Sequence, residues 1–193
     1  MRWLMTLRIL RRILLLISPL TVALAQSADT GDVTLFEFAS AKSVESWYDQ
    51  NDTVMGGVSQ SRMTYHGEGV ATFTGEVSLE NNGGFAQVRY DKTSFDLSAY
   101  EGLELRIRGD GQTYQLRLTT RDAPRIAYTQ PFASATQWQT IRLPFSGFEP
   151  VFRGRQVADA PALNPANIQG LGLMISDKQA GAFELLVDEI KAY

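Results

Sequence analysis

The chain has no cysteine and a single histidine in 193 residues, and these two shortages remove much of catalytic chemistry. Without cysteine there is no disulfide framework, no thiolate metal site and no thiol nucleophile. A Ser-His-Asp triad would depend entirely on His66, which lies in Tyr65-His66-Gly67-Glu68-Gly69 and reads as a surface turn residue. Gly-x-Ser-x-Gly, His-Glu-x-x-His and phosphate-loop patterns are missing as well. Gly170-Leu171-Gly172-Leu173-Met174-Ile175 opens like a dinucleotide motif, but it lacks the third glycine and a following helix, so it is read as a strand. Paired glycosidase acids need proximity in space only, so 21 acidic residues carry no signal for them. No enzyme and no cofactor are expected.

Long apolar runs are also scarce. Met1 to Arg12 carries Arg2, Arg8, Arg11 and Arg12 without an acid, and an apolar block follows from Ile13 to Ala25, ending in Ala23-Leu24-Ala25. That order predicts a secretory signal peptide over residues 1–25, a flexible tail over 26–32 and one domain over 33–193, located in the periplasm. A mitochondrial transit peptide is also arginine-rich and acid-poor, but it interleaves arginines with apolar residues, whereas here charge and apolar block are separate. The block is shorter than the roughly 20 residues that span a bilayer, so no stable membrane insertion is expected after cleavage. The first 25 residues hold four of the 18 basic residues and none of the 21 acids, which leaves a net charge of −7 and argues against nucleic acid as a partner.

What is present is strand pattern. Period-two alternation runs through Leu35 to Phe38, Val58 to Tyr65, Val70 to Val77, Phe85 to Tyr90, Gly102 to Arg108 and Tyr114 to Thr119. Arg125 to Gln130, Trp138 to Leu143, Gly170 to Ser176 and Ala182 to Ile190 are further candidates. Gly109-Asp110-Gly111 has hairpin turn chemistry and predicts that the strands on either side of it pair. Helix is limited to brief turns at Ala41 to Trp47 and at Asn164-Pro165-Ala166-Asn167-Ile168, where Asn caps and Pro takes the first helical position. About ten short strands separated by turns predict an all-β fold, a two-sheet antiparallel sandwich of jelly-roll type.

Two glycine-marked segments stand apart: Asn51-Asp52-Thr53-Val54-Met55-Gly56-Gly57-Val58-Ser59, and Glu80-Asn81-Asn82-Gly83-Gly84-Phe85-Ala86-Gln87-Val88-Arg89. Gly56, Gly57, Gly83 and Gly84 are read as structural turn residues, because glycine reaches positive φ and permits close backbone approach. Asp52 with Asn51, and Glu80 with Asn81 and Asn82, offer hard oxygens of the kind calcium takes. EF-hand spacing is missing and Asx turns explain the same residues, so no metal is assigned.

Alternation places Glu104, Arg106 and Arg108 on one outward face, and it aligns Gln115, Arg117, Thr119, Gln87, Arg89, Trp138, Thr140 and Arg142 with them. The candidate binding residues are therefore Gln87, Arg89, Arg106, Arg108, Arg117, Trp138 and Arg142, expected to line one polar groove, together with Asn51, Asp52 and Asn82 of the two Gly-Gly segments beside it. A protein partner is expected. The alternative is a carbohydrate-binding surface with Trp138, Tyr114 or Tyr128 as its stacking ring.

Trp47, the two Gly-Gly segments, Trp138 to Phe145, Phe148-Glu149-Pro150, Arg153-Gly154-Arg155, Ile168 to Lys178, Gly181 to Phe183 and Leu186 to Ile190 together resemble the complex I intermediate-associated protein 30 family. The resemblance spans nearly all of residues 33–193. It implies a galactose-binding-like jelly roll similar to family 11 carbohydrate-binding modules, and a non-catalytic assembly factor that holds a protein partner.

Overall fold

The computed structural model describes residues 31–92 and 94–193. It contains thirteen strands: β1 Val33–Glu37, β2 Tyr48–Asp49, β3 Gln60–Gly67, β4 Val70–Val77, β5 Ala86–Tyr90, β6 Gly102–Gly109, β7 Thr113–Thr120, β8 Ala127–Ala133, β9 Gln139–Pro144, β10 Glu149–Phe152, β11 Arg155–Gln156, β12 Ile168–Ile175 and β13 Gly181–Ala192. Among the described residues helix is confined to short 3-10 turns, including Ala41–Val44 and Pro165–Asn167, the latter capped by the Asn164 side chain accepting from the Ala166 N–H. The expected signal segment, residues 1–25, lies outside the described residues. Of the expected tail only 31 and 32 are described, and Asp32 is tied to Lys191 at 3.4 Å.

The strands form two antiparallel sheets. One runs β3-β4-β13-β6-β9, with β1 also paired to β13; the other runs β11-β10-β8-β7-β12-β5-β2. The all-β, two-sheet jelly roll read from the alternation is the observed architecture. Its core is the pair of inward faces: Phe73, Leu103, Leu105, Ile107, Leu185 and Val187 from the first sheet meet Val88, Tyr114, Leu116, Leu118, Leu173 and Ile175 from the second. Trp47 closes one end by packing against Phe36 and Tyr90, with ring centroids 5.2 and 5.8 Å apart.

The hairpin expected at Gly109-Asp110-Gly111 is not formed: β6 belongs to the first sheet and β7 to the second. The turn is a corner that carries the chain across the sandwich. Its hinge is the Asp110 carboxylate, which accepts from the Gln112 N–H at 3.0 Å, the Tyr114 hydroxyl at 2.9 Å and the Glu184 N–H of β13 at 2.9 Å. Gly-Asp-Gly marks a reversal in either geometry; long-range bonds to β13 decide which one forms. The consequence for function is large. Outward residues of β6 and of β7 point to opposite sides of the molecule, so the single groove expected from alternation is divided between two faces.

Asp110→Ala should lower the unfolding free energy by about 2–3 kcal/mol, since it strands a buried hydroxyl and two N–H groups. Urea unfolding measures it; a loss below about 0.5 kcal/mol, typical of a surface change, would show that the corner is held by other contacts.

Candidate functional site

The two Gly-Gly segments meet at one carboxylate. Asp52 is 0% exposed. Its Oδ1 accepts from the Ser59 N–H at 2.9 Å, and its Oδ2 accepts from the Ser59 hydroxyl at 2.5 Å, the Gly84 N–H at 2.7 Å and the Phe85 N–H at 3.3 Å. Burial pushes its pKa up, but the bonds from Ser59, Gly84 and Phe85 outweigh that and hold the carboxyl below its ordinary range. The glycines divide the work within each pair. Gly56 and Gly84 take φ of +92° and +136°, whereas Gly57 and Gly83 make room for the clasp. A Cβ on Gly57 would overlap the Asp52 carboxyl carbon, and one on Gly83 would stand 2.6 Å from Asp52 Oδ2.

Asn51 extends this clasp. Its Oδ1 accepts from the Ser61 hydroxyl at 2.6 Å and the Gln87 N–H at 3.1 Å, and its Nδ2 donates to Asp49 at 3.2 Å. Asn51 and Asp52 were expected on a binding surface. They are buried instead, with their oxygens committed to donors inside the chain, which also removes them as the calcium ligands their chemistry suggested. Asn82 is exposed beside Asn81, and both take left-handed backbone at φ of 59° and 53°. Besides Thr53, Glu80, Asn81 and Asn82, the two joined segments expose apolar side chains: Val54 and Met55 are 68% and 63% exposed, and Val58 and Leu79 are exposed as well. Sequence reasoning missed this patch, although its signal was there, since Val54-Met55 interrupts an otherwise polar turn.

The expected arginines fall into two electrostatic classes. On the outer face of the β6–β9 region every cation has a neighbour: Arg106 pairs with Asp188 at 3.2 Å, and Arg142 with Glu104 at 2.7 Å. The Arg142 bond, helped by Lys191 at 3.1 Å, keeps the buried Glu104 carboxyl below its usual range. Arg106 and Arg108 lie over the Trp138 ring at 5.7 and 5.4 Å, and Trp138 is 36% exposed. On the opposite side of the molecule, Arg89 and Arg117 stand on β5 and β7 with Gln87 nearby, and no carboxylate lies within ion-pair distance of either among the described residues. Tyr114 and Tyr128 are core residues, so neither supplies a stacking ring. His66 is exposed near the end of β3, and among the described residues no cluster of three metal-ligating side chains occurs.

Asp52→Asn should cost about 3 kcal/mol, because the amide cannot accept from both backbone N–H groups at Oδ2 and brings donors of its own. The folded pKa is depressed, so in the wild type this stability is complete above the ordinary carboxyl value of 3.8 and is lost as pH falls through the folded value. Unfolding free energy measured against pH should show a shallower acid-side decline in Asp52→Asn. An identical slope in both proteins would show that Asp52 is not the titrating clasp.

Among solved structures, a family 11 carbohydrate-binding module of a Clostridium thermocellum cellulosomal cellulase superposes with a TM-score of 0.62 at 18% identity, covering 84% of this chain and 94% of that one. An agarase also superposes, with a TM-score of 0.59 at 13% identity over 24% of its own length. At these identities the likeness is one of fold. Among curated proteins, an uncharacterized Schizosaccharomyces pombe protein is 27% identical over 77% of this chain and 80% of its own. The mitochondrial complex I intermediate-associated protein 30 of Mus musculus is 30% identical over 53% of this chain, and that of Drosophila melanogaster 24% over 81%. The chain spans 33% of the mouse protein and 61% of the fly protein. The mouse and fly relatives are named mitochondrial, which overturns the periplasmic location read from the N-terminal residues; an arginine-rich, acid-poor start is common to secretory and mitochondrial leaders. The pattern of complex I intermediate-associated protein 30 matches residues 36–187, most of the described domain, and the chain belongs to that family.

Proposed function

We propose that the chain is a non-catalytic binding domain of the assembly-factor kind, which holds a protein partner with the end of the sandwich where Asp52 joins the two Gly-Gly loops. The observation that carries this reading is the exposure of Val54, Met55, Val58 and Leu79 on loops whose backbone is bonded internally. Exposed apolar side chains grouped at one place mark contact surfaces. Because the loops are already ordered, docking loses little conformational entropy, and the burial of the four side chains goes into affinity. Membership of a family named for association with complex I intermediates supports a protein as the partner.

The carbohydrate reading draws support from the fold neighbours. It lacks the rings it was expected to use: Tyr114 and Tyr128 are in the core, and Trp138 carries two guanidiniums. Sugar recognition needs an open aromatic face, so the protein-binding reading is the stronger one.

The double substitution Val54→Asp with Met55→Asp should leave the melting temperature within about 2 °C of wild type, as surface changes do. It should also abolish retention of a solubilised complex I intermediate on the immobilised protein. Equal retention by wild type and variant would remove the loops from the proposed interface.

A further inference from the structure

Two arginines on the outer face of the seven-stranded sheet share a register row with a glycine between them. Gly172 of β12 pairs with Arg89 of β5 on one side and with Arg117 of β7 on the other. The two arginines thus rise from strands about 10 Å apart, twice the inter-strand spacing, over a floor without a side chain. That floor tolerates none. A Cβ at position 172 would lie 2.8 Å from the Val88 carbonyl oxygen and 3.3 Å from Arg89 Cγ, and one at Gly170 would lie 2.6 Å from Thr119 Oγ1.

The result is a recess of ≈ 40 Å³ walled by Gln50, Gln87, Arg89, Arg117 and Thr119. Arg89 and Thr119 also line a wider groove of ≈ 500 Å³, to which Lys92 and Arg121 add positive charge and Asp91 a single negative one. Asp91 accepts from the Tyr48 hydroxyl at 2.8 Å. In a chain with more acids than bases, four cations and one acid around two adjoining hollows is a concentrated reversal of sign.

The guanidiniums inside the recess have neutral partners. Arg89 Nη1 donates to Gln50 Oε1 at 2.9 Å, and Arg117 Nη1 to the Met174 sulfur at 3.1 Å. Burial, and then repulsion from Arg89, bring the Arg117 pKa down to about 10. Thr119 Oγ1 is buried with no hydrogen-bond partner. Two unneutralised cations and an idle hydroxyl are unfavourable when nothing occupies the recess, and an oxyanion reverses each of these costs through charge-assisted hydrogen bonds. Guanidinium forks suit carboxylate and phosphate oxygens alike.

We infer that the Arg89–Gly172–Arg117 recess is an oxyanion-binding site that takes a carboxylate or phosphate group, with the rest of its ligand lying along the cationic groove. The four exposed apolar residues of the Gly-Gly loops are not part of it, so the site stands or falls separately from the docking surface proposed above. Gly170 and Gly172, which in sequence began a dinucleotide-like pattern, serve here as a bare strand surface over which the anion lies.

The test is a nuclear magnetic resonance titration of the ¹⁵N-labelled protein with sodium phosphate, sodium acetate and, as a neutral control, cellotetraose, at fixed pH and ionic strength. The Gly172 amide and the Arg117 Nε–H should shift saturably with phosphate, acetate or both, and the probe that saturates at lower concentration identifies the group. Arg89→Gln and Arg117→Gln should each weaken binding about tenfold, the scale of one charge-assisted contact, and Arg117→Gln should fold normally because it removes an unpaired cation. The inference is overturned if neither anion gives a saturable shift at these resonances. It is equally overturned if cellotetraose alone shifts them, or if the Arg89→Gln, Arg117→Gln double variant responds as the wild type does.

Discussion

One buried carboxylate organises the end of this sandwich. Asp52 gathers two N–H groups from one Gly-Gly segment and the backbone and hydroxyl of Ser59 from the other, so two loops distant in sequence become one object. A charge in that position is tolerable only because four donors replace its water. The same requirement dictates the glycines: two of them supply backbone angles that other residues resist, and two vacate the volume the carboxylate occupies. A change to any of these parts is therefore a change to the whole end of the molecule, including the apolar residues it displays.

The two outer faces show how one residue type can do two different jobs. Arg106 and Arg142 sit beside Asp188 and Glu104; the exposed Arg106 pair adds little stability, the Arg142 bond neutralises a buried carboxylate, and both take up the charge of their arginines. Arg89 and Arg117 are held over a glycine floor with only neutral partners, which leaves their charge available. Partnering therefore separates the arginine set that sequence alternation had merged, and the corner at Asp110 is what places the two sets on opposite sides.

Much of the fold could be read from the residues because strand alternation is a local signal. Val70–Val77 begins and ends where the pattern does, and the inward leucines of β6 and β7 are core residues as expected. The two-residue strands β2 and β11 and the proline-containing β10 were not legible, since such short segments show no period and take their structure from the neighbour they pair with. Sheet membership was not legible at the Asp110 corner, because a turn motif reports reversal and not pairing. At the candidate site, the Gly-Gly segments were identified as ordered, but Asn51 and Asp52 were assigned to the surface. Asp52 is held by Gly84 and Phe85 and Asn51 by Gln87, all more than thirty residues away in sequence, and no local pattern carries that information.

The claim on which the rest depends is that the Asp52 clasp is an integral part of the folded core and not a surface ornament. Native-state hydrogen exchange of the Ser59 and Gly84 amides tests it most directly. If the clasp is integral, these amides exchange only through global unfolding, with the same opening free energy as Leu173 and Val187 in the sheets. Exchange through a local opening several kcal/mol below the global value would contradict it, and would make the loops mobile elements instead of a preformed surface.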